Sequence, residues 1–349
     1  METERINFKE WNSKILEIKE SKAEFCNFKK IIYIFLSLII LLNSLIVLFI
    51  SFDHKNPKNN LQNNINISCF MENITKLIQN IISPDESVCI LVKNKLKNRT
   101  QPFDFENELF FFADLISCKI PFSFIRFGDG ENSIMNGNNL SAKIDNWYWN
   151  SSNKRFQDSL IESSSICMSH NNFIGIPCKN WIKVSESILS FSKCSSAKYM
   201  SYATLFINKN YLLFKVLILS FINSFNRWKI ILVANSIIHK NISWAYKFFP
   251  VPDHLIENWD KYYIYLITEL SNLAKENNLI FFISAGPAAN IIISYLTKIN
   301  NNNTYIDFGS SIEFITKGYT TRSYAKNGET SLQSCETFFL RNKSLIYEK

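Results

Sequence analysis

Five short apolar runs alternate with longer helix-like segments, and this alternation limits the folds open to the chain more than any other feature. The later runs are continuously apolar, which is typical of strands buried on both faces of a parallel sheet. Strand and helix in this order predict a layered α/β domain with a mostly parallel sheet. The predicted strands are residues 122–127, 172–176, 229–234, 279–284 and 304–308, and the helices 154–165, 211–226, 254–277 and 288–299.

Residues 31–52 form an apolar run of 22 residues without a charge. About 20 residues are enough for a helix to cross the hydrocarbon core, and apolarity on every face argues against a buried core helix. Residues 11–30 hold five basic residues and residues 51–70 hold two. This bias predicts a single-pass type II membrane protein whose amino terminus is cytosolic and whose remaining chain is lumenal.

Residues beyond the apolar run permit that orientation. Seven of the eight cysteines follow it, so disulfides are plausible there and an odd thiol would remain.

The chain carries a net charge of +8, yet its lysines are scattered, so we expect no nucleic-acid partner. We expect a cytosolic segment (1–30), a transmembrane helix (31–52), an Asn-rich stem (53–102) and a globular domain (103–349). Glycosylation sequons include those that begin at Asn66, Asn73, Asn98, Asn139, Asn150, Asn241 and Asn342.

The first strand, residues 122–127, ends in an acidic turn. Asp129 and Glu131 follow Gly128 and would lie at the carboxyl end of the strand, where open α/β sheets bind ligands. Two carboxylates spaced by one residue can share Mg²⁺ or Mn²⁺. The plainer alternative is a turn that only caps the strand. Arg126 favours the ligand site, because a guanidinium beside carboxylates and a metal can bind phosphate bidentately.

A strand–turn–helix joint at residues 279–296 provides a second candidate. Gly286 permits a sharp turn, and Pro287 suits the first helical position. The free N–H groups of the helix start would then bind an anion, with Asn290 one turn further on. The same pattern also occurs in ordinary βαβ joints without a ligand.

The last strand ends at Asp307 and Gly309, which gives a third candidate. Asp307 could bind sugar hydroxyls or act as a base, and Glu313 is a second candidate base. Arg322 lies in a segment that could close on phosphate, although a surface arginine is the simpler interpretation.

These segments together resemble the GT-D-fold glycosyltransferases, a bacterial glucosyltransferase family first catalogued as a domain of unknown function. The resemblance covers about residues 103–320 and rests on IRFGDGE (125–131), SAGPAANIIISYL (284–296) and YIDFGSSIE (305–313). It implies a Rossmann-like domain that uses a UDP-sugar donor and a divalent cation. The family's D-x-E metal motif falls on Asp129 and Glu131, its glycine–proline turn on Gly286 and Pro287, and its D-x-G element on Asp307 and Gly309.

The chain departs from the bacterial pattern at Ser310, where that pattern has a histidine, and at Asn235, where it tends to be acidic. We therefore expect a membrane-anchored glycosyltransferase whose acceptor, a glycan, protein or lipid, is open. Two alternatives remain. One is an S-adenosylmethionine-dependent methyltransferase, because YIDFGSS resembles part of that cofactor turn. The other is an inactive binding module of the same fold.

Overall fold

The computed structural model describes residues 84–142, 147–168, 171–178, 182–194, 196–223, 228–235, 242–252, 254–319 and 322. The predicted cytosolic segment and the predicted membrane span at 31–52 lie outside these residues. No helix in the described ranges is both long and apolar enough to cross a bilayer.

Strands and helices alternate along the described chain. The strands are β1 (Ser123–Arg126), β2 (Leu140–Ala142), β3 (Trp147–Trp149), β4 (Asn172–Ile176), β5 (Met200–Tyr202), β6 (Lys229–Asn235), β7 (Lys247–Val251), β8 (Leu279–Ser284) and β9 (Thr304–Asp307). The helices are α1 (Glu86–Asn98), α2 (Phe105–Ser117), α3 (Asp129–Met135), α4 (Lys154–Ser163), α5 (Ile182–Phe191), α6 (Tyr211–Asn223), α7 (Trp259–Ala274), α8 (Ala288–Ile299) and α9 (Glu313–Thr316).

Seven strands form one sheet in the order β5-β4-β1-β9-β8-β6-β7, and every adjacent pair is parallel. β2 and β3 form a separate antiparallel hairpin. The predicted α/β class with a mostly parallel sheet is thereby confirmed. The chain builds β4 and β5 on one side of β1 and β6 to β9 on the other, so the strand order changes direction beside β1.

Helices cover both faces of the sheet. Successive residues of β1 point to opposite faces, and each of them contacts a different helix. Ser123 hydrogen-bonds to Thr297 of α8 at 2.5 Å. The next residue, Phe124, packs its ring against Phe112 of α2 with centroids 4.9 Å apart. Both faces are therefore closed to water, as the continuous apolar runs require.

The domain begins before residue 103, where we had placed the end of the stem. Residues of α1 are tied to α2 by a disulfide between Cys89 and Cys118. Directly after α1, the buried guanidinium of Arg99 forms two 2.7 Å hydrogen bonds with Glu108 of α2. The two helices form one packed element, and residues 86–98 belong to the folded domain.

Candidate active site

The predicted functional residues converge at the carboxyl edge of the sheet, where β1 and β9 lie side by side. Arg126 is the last residue of β1 and Asp307 the last of β9, and these strands pair in parallel. This is the position where the strand order changes direction. Ligands of open α/β sheets bind in the crevice at such a point.

Arg126 and Asp307 form an ion pair across the two strands. Nε of Arg126 donates to Oδ2 of Asp307 at 3.2 Å, and Nη2 donates to Oδ1 at 3.4 Å. Nη1 donates to the carbonyl oxygen of Ala203 at 3.2 Å. Three of the five N–H donors are thus used, and one remains on each terminal nitrogen. The side chain of Arg126 is 16% exposed.

Asp307 is almost fully buried, and all its contacts serve to hold neighbouring groups. Besides Arg126, it accepts a 2.9 Å hydrogen bond from the backbone N–H of Gly309. Burial raises the pKa of Asp307, an effect opposed by the charge and hydrogen bonds of Arg126 and by the Gly309 N–H. The carboxylate therefore orients Arg126, and its predicted role as a base stays a prediction.

Gly309 is required by the geometry of this ion pair. Its φ of 51° lies in the left-handed region that favours glycine. A Cβ at this position would collide with Nη2 of Arg126. The predicted D-x-G element therefore lets a backbone turn approach the guanidinium closely.

Asn290 binds the backbone of Arg126 from α8. Its Oδ1 accepts from the Arg126 N–H at 3.3 Å, and its Nδ2 donates to the Arg126 carbonyl at 2.7 Å. The Asn290 residue is fully buried. We had placed Asn290 among ligand-binding residues, but its amide is used to fix the end of β1.

The D-x-E segment opens helix α3 and does not form an isolated turn. Gly128 is the N-cap, Asp129 the first helical residue and Glu131 the third. Oε2 of Glu131 accepts from the N–H of Gly128 at 2.8 Å, which closes one side of a capping box. Asp129 is exposed, and its side chain forms no hydrogen bond or ion pair with the described residues.

Burial raises the pKa of Glu131 to about 7, and the nearby charge of Asp307 adds to this effect. Hydrogen bonds from the backbone and the charge of Arg126 oppose it. A cation bound beside Glu131 would favour its charged form.

A divalent cation fits the chemistry of this segment. Asp129 and Glu131 supply hard oxygen atoms two residues apart, and Mg²⁺ and Mn²⁺ commonly take one or two carboxylates and complete their shell with phosphate and water. Within the described ranges, no group of three or more His, Cys, Asp or Glu side chains is assembled for a metal.

The glycine–proline turn adopts the predicted strand–turn–helix path with a small difference. Gly286 has a φ of 55° and is exposed. Pro287 is the N-cap of α8, one residue earlier than the first helical position that we predicted. The helix start follows β8 directly, so it too lies at the carboxyl edge of the sheet.

The remaining predicted residues follow β9. Glu313 opens the short helix α9, and its Oε1 accepts from Nζ of Lys317 at 2.8 Å. Its other oxygen, Oε2, is buried without a hydrogen-bond partner. Arg322 is partly buried, and the residues around it in sequence lie outside the described ranges. Ser310, which replaces the bacterial histidine, lies in the 3₁₀ turn Gly309–Ile312.

Sequence reasoning missed the loop after β5. Ala203 supplies the carbonyl that binds Arg126, and the ring of Phe206 lies 5.9 Å from the guanidinium carbon. A backbone carbonyl leaves no residue-type signal, so no pattern in the sequence could identify Ala203. Phe206 is part of an aromatic-rich chain and does not stand out.

Comparison with known proteins gives three similar solved structures. The highly conserved domain of unknown function 1792, described as having a distinct glycosyltransferase fold, is 18% identical with a TM-score of 0.42; the match covers 69% of this chain and 93% of that one. A selenomethionine-substituted structure of domain 1792 is also 18% identical, with a TM-score of 0.40 and coverage of 65% and 84%. A glycosyltransferase of this kind from Streptococcus sanguinis is 13% identical, with a TM-score of 0.42 and coverage of 62% and 84%.

No protein-family profile and no curated protein matches the chain. The structures carry the name of the family that the sequence motifs resemble. Similarity at TM-scores this low supports no conclusion about function, so the function of this chain is argued from the residues of the site.

Proposed function

We propose that this chain is a metal-dependent glycosyltransferase that moves a sugar from a nucleotide diphosphate, with UDP as the expected nucleotide, to an acceptor hydroxyl. The observation that carries the proposal is the meeting of the D-x-E helix start with the Arg126–Asp307 pair at the carboxyl edge of β1 and β9. Carboxylates for a cation and a fixed guanidinium for phosphate are both needed to bind a sugar diphosphate. The motif resemblance to GT-D enzymes supports the same chemistry.

In this proposal, Asp129 and Glu131 would hold Mn²⁺ or Mg²⁺, and the cation would supply positive charge to stabilise the leaving diphosphate. Arg126 directs its two uncommitted N–H groups to the phosphate oxygens. Asp307 and Asn290 hold the side chain and the backbone of Arg126 in place before the donor arrives. A donor held in this way loses less entropy at the moment of reaction.

The acceptor hydroxyl must lose a proton as the new glycosidic bond forms. Both Asp307 and Glu313 were predicted as bases, and the geometry favours Glu313 within this proposal. Oε2 of Glu313 has no hydrogen-bond partner, whereas both oxygens of Asp307 already accept hydrogen bonds. Glu313 follows β9 by one 3₁₀ turn, and its lone pair is available for a proton.

We also propose that the domain works in a lumenal compartment, anchored by residues 31–52. Disulfides join Cys89 to Cys118 and Cys167 to Cys194, with Cα–Cα separations of 5.3 and 5.8 Å that are normal for such bonds. Disulfides persist in oxidising compartments and are rare in the cytosol. This agrees with the charge bias around the apolar run.

The test is donor turnover by the full-length chain in detergent. The full chain is needed because a fragment beginning at residue 103 would lose α1, Cys89 and Arg99. Release of UDP from a panel of UDP-sugars should require Mn²⁺ or Mg²⁺ and should stop with EDTA. A double Asp129→Asn, Glu131→Gln variant with full activity would contradict the metal role.

Thermal shift separates the alternatives. A shift with S-adenosylmethionine and none with UDP and Mn²⁺ would favour the methyltransferase. A shift with UDP and Mn²⁺, but no turnover with any donor, would favour an inactive binding module.

A further inference from the structure

The sequons of the described chain differ in how their asparagines are used. Asn98 is the last residue of α1, is exposed, and makes no side-chain hydrogen bond with the described residues. Asn139 and Asn150 are also exposed, but both hold the β2–β3 hairpin. Oδ1 of Asn139 accepts from the N–H of Ser151 at 2.8 Å. At Asn98, unlike Asn139 and Asn150, modification would disturb no side-chain hydrogen bond with the described residues.

Both polar atoms of the Asn150 side-chain amide form hydrogen bonds within the fold. Its Oδ1 accepts from the N–H of Ser152 at 2.9 Å, and its Nδ2 donates to the hydroxyl of Tyr148 at 3.1 Å. The atom that would carry a sugar is thus already a donor within the fold. Asn98 offers the same atom without a competing bond.

The surroundings of Asn98 also leave space for a covering group. Leu91 lies two helical turns earlier, is 60% exposed, and lines the same cleft between α1 and α2 as Asn98. Residues seven apart share one face of a helix. This cleft, of about 760 Å³, is lined by apolar and polar side chains. A bulky hydrophilic group on Asn98 would shield Leu91 from solvent.

We propose that Asn98 carries an N-linked oligosaccharide, so that this enzyme is itself a glycoprotein. Nδ2 of Asn98 forms a bond to the anomeric carbon of an oligosaccharide carried on a lipid diphosphate. The bond from that carbon to the diphosphate oxygen breaks, the lipid diphosphate leaves with the electron pair, and Nδ2 gives up one proton. The modification rests on the lumenal orientation and does not depend on the transferase activity.

The burial of Arg99 in the folded protein also determines at which stage the sugar can be attached. Arg99, the middle residue of the sequon, is fully buried in its pair with Glu108, and its Nη2 also donates to the carbonyl of Met200. A transferase that must grip the sequon cannot reach it once this pair has formed. The glycan is therefore added while the chain is still unfolded.

The experiment uses the full-length chain expressed in eukaryotic cells and treated with an N-glycosidase that removes whole glycans. On a denaturing gel, the wild-type protein should migrate faster after treatment, because each glycan removed lowers its apparent mass by one increment. The Asn98→Gln variant should show one increment fewer. Thr100→Ser keeps the sequon and should retain that increment, whereas Thr100→Ala should lose it. Thr100 is exposed, so both Thr100 variants are matched for folding.

Two results would overturn the proposal. One is wild-type protein whose mobility does not change on treatment. The other is an Asn98→Gln variant with the same number of increments as the wild type. Gel mobility without reductant, compared between the wild type and Cys89→Ser, reports the compartment separately. A disulfide with no glycan at Asn98 refutes the modification alone, and UDP release by Asn98→Gln tests the transferase independently.

Discussion

The side-chain amide of Asn290 pairs with both backbone polar groups of Arg126, accepting from its N–H at 3.3 Å and donating to its carbonyl at 2.7 Å. The two residues are 164 positions apart in the chain. Through this contact, helix α8 fixes the end of β1 at the position where the D-x-E segment begins. The phosphate-side helix and the metal-side strand of the proposed site are thus joined by one side chain.

Replacement of Asn290 by leucine should destabilise the fold. The variant keeps the branched shape of the side chain, although leucine is larger, and it removes the partner of both the N–H and the carbonyl of Arg126. Each unsatisfied group costs about 1–3 kcal/mol. Urea unfolding of Asn290→Leu measures this loss. Asn223→Leu, at the exposed end of α6, is the matched control and should change stability little. Equal unfolding free energies for the two variants would refute the role of Asn290.

Arg126 and Asp307 should show strong energetic coupling. Arg126→Met leaves a buried carboxylate without its partner, and Asp307→Asn leaves a partly buried guanidinium without its partner. Each substitution should therefore lower the unfolding free energy more in the wild type than in a protein whose partner residue is already replaced. A double-mutant cycle on unfolding free energy should give a coupling of about 0.5–3 kcal/mol, the range for residues in direct contact. Additive effects of the two substitutions would show that the pair does not form.

Gly309→Ala should be more damaging than an alanine at another left-handed glycine. Gly137 has a φ of 74°, and a Cβ there would meet its nearest neighbour at an ordinary 3.4 Å, so Gly137→Ala reports the backbone strain alone. Gly309→Ala adds the collision with Arg126. Strain of this kind costs on the order of 1–3 kcal/mol. We expect Arg126→Ser to relieve part of the Gly309→Ala defect; no relief would mean that the guanidinium is not the obstacle.

Asp114 on α2 should make stability fall as pH rises. Burial raises its pKa from 3.8 to about 6, against the charge of Lys95. The folded state binds this proton more tightly than the unfolded chain, so the contribution is full below about pH 4 and is lost as pH rises through 6. Asp114→Asn removes the titration and should gain on the order of 2–3 kcal/mol relative to wild type between pH 4 and pH 7.

Urea midpoints of Asp114→Asn and the wild type at the two pH values measure the difference. Asp260→Asn, which removes an exposed carboxylate, controls for the loss of one charge. A stability difference that does not change with pH would show that Asp114 is not held in its protonated form.

The parallel sheet could be predicted because five of its strands are short apolar runs that alternate with helix-like segments, and the later runs are continuously apolar. The boundaries of β4 and β8 matched the predicted ranges. β7 escaped prediction because Pro250 interrupts its pattern. Proline is tolerated there because, among the described strands, β7 lies at the edge of the sheet and pairs only with β6. β5 has three residues, too few to give a periodic signal.

Only part of the candidate site could be predicted from the sequence. Asp129, Glu131 and Gly309 carry local turn and cap signals, so their placement at strand ends could be inferred. The partners of Arg126 lie 77 to 181 residues away, and no local pattern reports a contact at that separation. The prediction that Asn290 binds ligand directly followed from this gap, because its partner Arg126 within the protein was not visible in the sequence.

The central claim is best tested by calorimetric titration of UDP into the full-length chain with Mn²⁺ at pH 8, above the raised pKa of Glu131 (about 7). We predict saturable binding that disappears without Mn²⁺. In Asp129→Asn, Glu131→Gln, binding should weaken by tenfold or more, whereas a control Asp158→Asn on the exposed side of α4 should bind as the wild type does. UDP binding of equal strength with and without Mn²⁺, or in the double variant, would contradict the account.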